Sequence, residues 1–472
     1  MPPNVANSAA AKKAAAKKAK RKVSQRANNA NQVEAASSQI DEGDPMIPLS
    51  YGVVKDTALP EEYGDTKFMI LESDPDKTWN KDDFDGLLIT TQPPINMDTT
   101  LADFPGGWTE CIISAPLKST ILATPGYPLT IKQPDTRAHR ISPSPGKGLG
   151  MFATRKLAAG ALILSERALL ITPATRGIKL DLSGKYPVEQ AKQAMLFDWE
   201  KYLEHAFNRM PKEYQTAFMA LHNSHTQDGS GPLTGILRTN GYGLNGLHDE
   251  GRPGLKGAYS GVFNELSRLN HSCRPNTDRT FDMASFAMEI RAARDIEEGE
   301  ELTTYYSDLL VSTATRQKHL EPYGVRCDCE SCSYASVSDD RRREIAMKCQ
   351  KDVLADRLHR WCMDPGLSDD FTLREGERLL KLVEDEGLEV ETSYSEVLFH
   401  LIMVHSALGN SEEANQYTTR WTKAHISRGR SFKDLFEEIV TLKRGLDTVL
   451  NCRGEGSGNV DRATEKLREM RV

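Results

Sequence analysis

Long apolar runs are missing from this sequence. No stretch of its 472 residues approaches the roughly 20 consecutive apolar residues that span a bilayer, and the N-terminus lacks the apolar stretch of a secretory signal. We therefore expect a protein of the nucleus or the cytoplasm. Hydrophobic residues make up 39% of the chain and charged residues 27%, with a formal net charge of −7. This length and composition are sufficient for two or three domains with cores of their own.

Cysteines are few, and most are scattered. Only three of the eight are clustered, in the stretch CDCESC: Cys327, Cys329 and Cys332. In a reducing compartment such a cluster indicates a metal site more often than disulfides. A structural zinc ion takes four ligands, commonly sulfur, so three thiols leave one position open. Cys273, the nearest cysteine upstream, could fill it, with His271 as a competing ligand. A site completed by Cys349, or three free thiols, are the alternatives.

Large apolar residues are scarce between residues 1 and 44, which predicts a disordered tail. Within this tail the stretch AKKAAAKKAKRK, at 11–22, holds seven basic residues among alanines. It is typical of a nuclear-import signal or of an arm that touches nucleic acid, and a merely solvated tail is the alternative. The mild acidity of the whole chain argues against a dedicated nucleic-acid binder.

Changes of pattern divide the rest of the chain. Short apolar runs cut by proline and glycine predict a few strands and loops over 45–135. A glycine-dense turn near residue 146 is predicted to lead into two strands. Apolar residues at helical spacing predict two amphipathic helices over 185–222 and a helical region over 336–472, which includes one turn of tetratricopeptide character.

Three further segments combine polar groups or glycines in ways that indicate a site. GKGLGMF, at 146–152, has three glycines that allow close approach to backbone amides, but it lacks the strand-loop-helix context of a nucleotide phosphate loop. RTNGYG is predicted to be a polar turn in which Asn240 can donate and accept hydrogen bonds. GEELTTYYSD has adjacent tyrosines, Tyr305 and Tyr306, which in a strand would point to opposite faces, so that at most one would line a given pocket.

The segments GKGLGMFA, NHSCRPN, GEELTTYY and CDCESC occur in this order, and together they resemble the SET-domain protein lysine methyltransferases. The resemblance is greatest to the branch with a split SET domain, a Cys-rich post-SET segment and a helical C-terminal domain, as in the SET- and MYND-domain proteins. It implies an α+β fold with a mostly-β SET domain at 136–335, a helical insert at 172–232 and a post-SET zinc segment at 321–335. An all-α C-terminal domain over 336–472 would follow.

One departure from that branch is plain. No cysteine occurs between Cys111 and Cys273, so the MYND zinc finger is absent. The predicted helical insert occupies that part of the chain instead.

The resemblance also implies roles for individual residues. Tyr306 matches the active-site tyrosine, Tyr323 would close the lysine channel, and Val325 stands where many relatives have an aromatic residue against the adenine ring. S-adenosyl-L-methionine would be held by nine residues: Lys147, Gly148, Leu149, Gly150, Asn240, Asn270, His271, Tyr306 and Val325. A structural Zn²⁺ would be held by four thiolates: Cys273, Cys327, Cys329 and Cys332.

The function implied by this resemblance is methyl transfer from S-adenosyl-L-methionine to the ε-amine of lysine in a histone or another protein. The alternative is a non-catalytic scaffold or reader that binds proteins through the helical C-terminal domain. A zinc-dependent nucleic-acid binder is disfavoured, because four sulfur ligands leave the metal no open position. Expected partners are a protein substrate and proteins bound at the helical domain, with no membrane, and with nucleic acid touched only by the basic tail.

Overall fold

The computed structural model describes residues 71–72, 87–95, 104–174, 187–250, 257–364 and 366–429. The basic tail at 1–44, part of the predicted insert and the chain after residue 429 lie outside the described residues. The predictions for those stretches stay predictions.

The strands within the described residues form three sheets. They are β1 Leu71–Glu72, β2 Leu87–Gln92, β3 Thr109–Ser114, β4 His139–Ser144, β5 Gly148–Ala153, β6 Leu162–Glu166, β7 Leu170–Pro173, β8 Tyr242–His248, β9 Ala258–Val262, β10 Asn270–His271, β11 Thr277–Asp282, β12 Ala287–Ala292 and β13 Glu301–Thr304. The first sheet has the order β1-β2-β3-β7-β9-β8, the second β10-β13-β5-β4 and the third β11-β12-β6. Three strands, β5 to β7, follow the glycine turn where two were predicted.

The helices within the described residues lie between these strands and after them. They are α1 Ala115–Leu122, α2 Val188–Arg209, α3 Lys212–Met219, α4 Pro232–Asn240, α5 Thr313–Leu320, α6 Glu330–Ser333, α7 Ala335–Lys348, α8 Lys351–Met363, α9 Asp370–Asp385, α10 Thr392–Ala407 and α11 Ser411–Ser427. The predicted α+β class with a helical C-terminal region is confirmed. None of the helices within the described residues is long and apolar enough to cross a membrane.

The central strand β3 separates two apolar cores. Successive side chains of a strand point to opposite faces, and the sequence TECIIS is apolar at three consecutive positions. Cys111 and Ile113 are fully buried in the core between the sheets, whereas Ile112 is buried against the insert helices. Because both faces of β3 are buried, its sequence is apolar at consecutive positions and does not alternate with polar residues.

The chain between β7 and β8 contains one described helix more than its sequence predicted. The two helices expected over 185–222 are confirmed as α2 and α3. A third, α4, begins where the buried carboxylate of Glu200 accepts hydrogen bonds from the amides of Leu233 and Thr234, at 2.9 and 2.7 Å. A carboxylate from another helix thus satisfies amides that lack an intrahelical partner. The prediction of a polar turn at RTNGYG is wrong at its start, because Asn240 is the last residue of α4.

A fully buried arginine connects the helical C-terminal region to the strands. Arg342 of α7 donates hydrogen bonds to the carbonyl oxygens of Leu309 and Cys273, at 2.5 and 2.9 Å, and to the carboxylate of Glu386 at 3.1 Å. Both side chains of this ion pair are almost inaccessible to solvent. Because breaking a buried pair leaves an uncompensated charge, these contacts hold the two regions in one arrangement.

We predict that His400, in α10, makes stability depend on pH. Its Nε2 atom lies 2.9 Å from Oγ1 of Thr372, and burial lowers the pKa of His400 to about 4. The stabilisation is therefore complete above the ordinary pKa of about 6.5 and is lost as pH falls towards 4, by at most roughly 3 kcal/mol. Urea unfolding of the wild type and of His400→Gln between pH 7.5 and 4.5 should show a shallower loss in the variant. Parallel curves would contradict the prediction.

Candidate active site and thiol cluster

The second sheet brings three distant sequence segments together. Strand β10 pairs in parallel with β13, with Asn270 opposite Thr303 and His271 opposite Thr304. The other edge of β13 pairs with β5, which begins in the glycine turn. The segment NHSC, the glycine turn and the two tyrosines that follow β13 are therefore neighbours because of strand pairing.

Glycines shape the turn between β4 and β5 in two ways. Gly146 and Gly148 have φ values of 73° and 76°, a left-handed backbone that favours glycine. A Cβ atom at Gly150 would instead lie 2.6 Å from Oε1 of Glu301 and 3.0 Å from Nδ2 of Asn270. The first two glycines make the turn, and the third allows β5 to approach its neighbours closely.

A cavity of about 710 Å³ opens beside this turn. Of the nine residues that the resemblance implied for the cofactor, eight line the cavity: Lys147, Gly148, Leu149, Asn240, Asn270, His271, Tyr306 and Val325. The ninth, Gly150, does not line it and packs behind it. The cavity has the size and the mixed lining of a small-molecule site.

A second cavity, of about 440 Å³, shares part of its wall with the first. Tyr306 and Tyr323 line both cavities, and their ring centroids are 5.2 Å apart. The two rings therefore stand where the cavities meet.

The hydroxyl group of Tyr306 is fixed and neutral. It donates a hydrogen bond to the carbonyl oxygen of Leu269 at 2.5 Å, and the amide of Tyr306 donates to Nδ1 of His271 at 3.0 Å. Burial, with the neighbouring Tyr242 and Tyr323, raises the pKa of Tyr306 well above its ordinary value. The phenol is therefore uncharged near neutral pH and is able to form hydrogen bonds.

The expectation that at most one of the adjacent tyrosines would line a given pocket is wrong. Tyr305 and Tyr306 both line the second cavity. Strand β13 ends at Thr304, so the alternation of a strand does not extend to these two residues. The ring of Tyr305 lies 4.2 Å from the guanidinium carbon of Arg279.

The cysteine motif and the NHSC segment meet in one cluster. One sulfur atom from each of four residues lies within 4.8 Å of the others: Cys273, Cys327, Cys329 and Cys332. The sulfur of Cys273 is 3.5 Å from that of Cys332 and 3.9 Å from that of Cys327. Cys349, the alternative fourth ligand, is buried in the core of the helical region instead.

The donor set fits a zinc ion. Four sulfur ligands at 2.3 Å in a tetrahedron are separated by about 3.8 Å, close to the observed spacings. Four thiolates this close together repel one another, and a cation among them removes that repulsion. Zn²⁺ with four thiolates carries a net negative charge, and two buried arginines, Arg316 and Arg342, lie beside the cluster.

His271 links this cluster to the first cavity. Its Nε2 atom lies 3.3 Å from the sulfur of Cys273, and its Nδ1 atom accepts the hydrogen bond from the amide of Tyr306. Both ring nitrogens are thus engaged within the protein, and His271 orients the tyrosine segment from the cluster side.

Some lining residues of the first cavity had not been predicted. The loop after α3 contributes Leu221, His222 and Asn223, and a 3₁₀ turn contributes Ser267 and Arg268. The side-chain amide of Asn240 donates to the carbonyl oxygen of His222 at 2.7 Å, which joins this loop to α4. No local sequence signal marks these residues, because tertiary packing brings the two segments to the cavity.

Parts of this chain are similar to known proteins. A protein-family model described as the SET domain matches residues 148–307. Histone-lysine N-methyltransferase set5 of Schizosaccharomyces pombe is 33% identical over 218 residues, which are 45% of this chain and 57% of that protein. Histone-lysine N-methyltransferase SMYD3 of Homo sapiens is 44% identical over 73 residues, which are 15% of this chain and 17% of that protein.

The extent of these matches is limited. The aligned part spans little more than half the length of set5 and less than a fifth of SMYD3. The solved structure of Rubisco LSMT bound to AdoMet is 13% identical and covers 76% of this chain and 92% of that chain, with a TM-score of 0.24. A TM-score this low does not establish a shared fold.

We predict that the purified protein contains about one zinc ion per chain, bound by the thiol cluster. Cys329→Ser should lose the metal and with it stability, because the remaining thiols would crowd without a cation. Cys349→Ser is the matched control: it removes a buried cysteine outside the cluster and should keep the metal. Elemental analysis and thermal unfolding measure both effects. A metal-free wild type of full stability would contradict the assignment.

Proposed function

We propose that this chain, which contains a SET domain at residues 148–307, is a protein-lysine N-methyltransferase that uses S-adenosyl-L-methionine. The observation that carries the proposal is the pair of cavities that meet at Tyr306 and Tyr323. Such a pair allows a methyl donor to bind on one side and a lysine side chain to arrive from the other. Domain boundaries at 45–135, 136–335 and 336–472 are part of the same proposal.

The first cavity suits the methyl donor. A Cβ atom at Gly146 or Gly148 would meet no protein atom within 4 Å, and both glycines line the cavity, so the turn leaves room for a ligand there. We assign the binding of the donor to the lining residues Lys147, Gly148, Leu149, Asn240, Asn270, His271, Tyr306 and Val325, with Gly150 supporting the turn from behind. When bound, S-adenosyl-L-methionine supplies a methyl group on a positively charged sulfur.

The second cavity suits the lysine side chain, with Tyr323 and Tyr306 at its inner end. A lysine amine has a pKa of about 10.4 in water and is protonated at neutral pH. Enclosure by aromatic rings removes water from the amine, which favours its neutral form. Loss of the proton to water then leaves a lone pair for the attack, which forms the nitrogen–carbon bond as the sulfur–carbon bond breaks.

Tyr306 positions the reacting groups. Its hydroxyl group donates a hydrogen bond to the carbonyl oxygen of Leu269. The lone pairs of the phenol oxygen therefore remain able to accept a hydrogen bond from an amine N–H group or from a polarised methyl group. A fixed acceptor contributes to rate by orientation, and no strong base is required.

The scaffold alternative is less well supported. A scaffold has no need of a complete tyrosine pair between two cavities or of a glycine turn facing open space. Val325 would stack less strongly on the adenine ring than the aromatic residue of many relatives would. The cavity itself is present all the same.

Substrate and location are also proposed. The two relatives described above are named histone-lysine N-methyltransferases, and we propose histones and other proteins as substrates, in the nucleus, the cytoplasm or both. The helical C-terminal region is proposed as a surface for protein partners, and the basic stretch at 11–22 as the part that could touch nucleic acid.

The experiment that tests this function combines binding and chemistry. Calorimetry with S-adenosyl-L-methionine measures binding of the donor. Mass spectrometry of recombinant histones and of a cell lysate, each treated with purified protein and isotopically labelled donor, identifies methylated lysines. Binding of the donor together with labelled lysines supports the enzyme. Absence of transfer, with or without binding of the donor, favours the scaffold, which need not bind S-adenosyl-L-methionine.

We predict that Tyr306→Phe lowers kcat by roughly 10²-fold, the usual effect of removing one positioned hydrogen-bonding group. Folding and affinity for S-adenosyl-L-methionine should be retained, because the ring remains. Tyr127→Phe is the matched control: it removes a buried tyrosine hydroxyl, bonded to Gln92 at 2.6 Å, outside both cavities. Unchanged turnover in Tyr306→Phe would remove the assigned role.

A further inference from the structure

A guanidinium group lies among the tyrosines of the second cavity. Arg279, in β11, has its guanidinium carbon 4.2 Å from the ring centroid of Tyr305 and 5.5 Å from that of Tyr242. Its Nη1 atom donates to Oγ1 of Thr304 at 2.7 Å. Arg279 is half-buried and lines the cavity together with Tyr306 and Tyr323.

The positive charge of Arg279 is not neutralised by a contact. Its hydrogen bond goes to a neutral hydroxyl, and its faces lie against aromatic rings. The adjacent carboxylate, Asp278, is directed to Arg428, with Oδ2 3.6 Å from Nε. Within the described part of the chain, no carboxylate oxygen lies at ion-pair distance from the Arg279 guanidinium.

The groups around Arg279 leave its charge effective at the tyrosines. Charged groups from the surrounding elements are Asp278 of β11, Asp308 after β13, Glu391 before α10 and Arg428 after α11. The phenols are Tyr242 of β8, Tyr305 and Tyr306 after β13, and Tyr323 of a 3₁₀ turn. Burial raises the pKa of Tyr242, Tyr305 and Tyr306, so these three phenols add no charge near neutral pH.

Asp308 is the carboxylate that shares the cavity with Arg279. It is exposed to solvent, and its Oδ1 atom accepts a hydrogen bond from the amide of Leu310 at 2.9 Å. Water screens an exposed charge more than a half-buried one. Asp308 therefore suits the attraction of a protonated lysine from solvent, whereas Arg279 acts on the amine once it is enclosed.

We propose that Arg279 is a positioning residue whose fixed positive charge favours the neutral, nucleophilic form of the lysine amine in the channel. The inference rests on the proposed function and deepens it. Arg279 lines the same cavity as Tyr306 and Tyr323, and a like charge inside one cavity disfavours protonation of an amine there, the more so when the amine is enclosed. Arg279 and desolvation thus both favour the neutral amine, whose nitrogen lone pair is free to attack.

The test is the pH dependence of kcat, which reports ionisation in the enzyme–substrate complex. Arg279→Met keeps a long, unbranched side chain at this position but removes the charge, so the apparent pKa of the bound amine should rise by roughly one unit. The rate deficit should be about tenfold at pH 7 and shrink towards none as pH rises. Arg279→Lys, which keeps the charge, should restore most of the wild-type profile.

Controls separate this role from structural damage and from the proposed function itself. Arg291→Met removes an arginine of β12 that pairs with Glu289 at 2.8 Å and lies outside both cavities; its profile should match the wild type. The probe is recombinant histone octamer, or the lysate peptide most methylated by the wild type if the octamer is not modified.

Each outcome of this experiment decides something. A pH-dependent deficit in Arg279→Met that Arg279→Lys corrects supports the inference. A deficit that is constant with pH, or a rise in KM with an unshifted kcat profile, overturns it and leaves the methyltransferase in place. Wild-type protein that methylates neither probe overturns the proposed function and the inference with it.

Discussion

The site depends on four consecutive residues, Asn270 to Cys273, which have to reach three places at once. Asn270 donates to the carbonyl oxygen of Leu149 at 3.2 Å and so joins the glycine turn. His271 accepts the amide of Tyr306, and Cys273 enters the thiol cluster. A two-residue strand has little pairing of its own, so its position is set by its partner β13 and by the cluster at its end. The mixture of amide, imidazole and thiol in this segment reflects a junction between two sites.

The helical C-terminal region supports this junction from behind. Arg342 donates to the carbonyl oxygen of Cys273, to Oγ of Ser331 in α6 and to the carboxylate of Glu386 after α9. A buried arginine with an unmatched charge would cost roughly 3–5 kcal/mol, so these partners have to stay together. The thiol cluster, the segment that carries three of its sulfurs and the helical region are therefore stabilised as one unit.

The sequence predicted the parts of the site whose residue types are unusual and closely spaced. The three clustered cysteines required a fourth ligand, and Cys273 lies where that argument put it. The helices over 185–222 followed from apolar periodicity. Helix α4 did not, because its start is satisfied by Glu200 from a distant turn of α2 and not by a local cap. The sequence did not single out Arg279, because a lone arginine in a strand belongs to no motif. Its proposed role depends on the tyrosines that the fold packs around it.

Residues outside the matched domain complete the first cavity. Tyr323, Val325 and Cys327 all lie beyond residue 307, and all three line it. The short stretch between Tyr323 and Cys327 is held at one end by a 3₁₀ turn and at the other by the thiol cluster. A cation that binds the four thiols only when they are arranged as in the folded protein stabilises that arrangement. It thereby stabilises the wall of the cavity. Under the proposed function, binding of the cation and binding of the methyl donor are coupled, and the coupling free energy is the same in both directions.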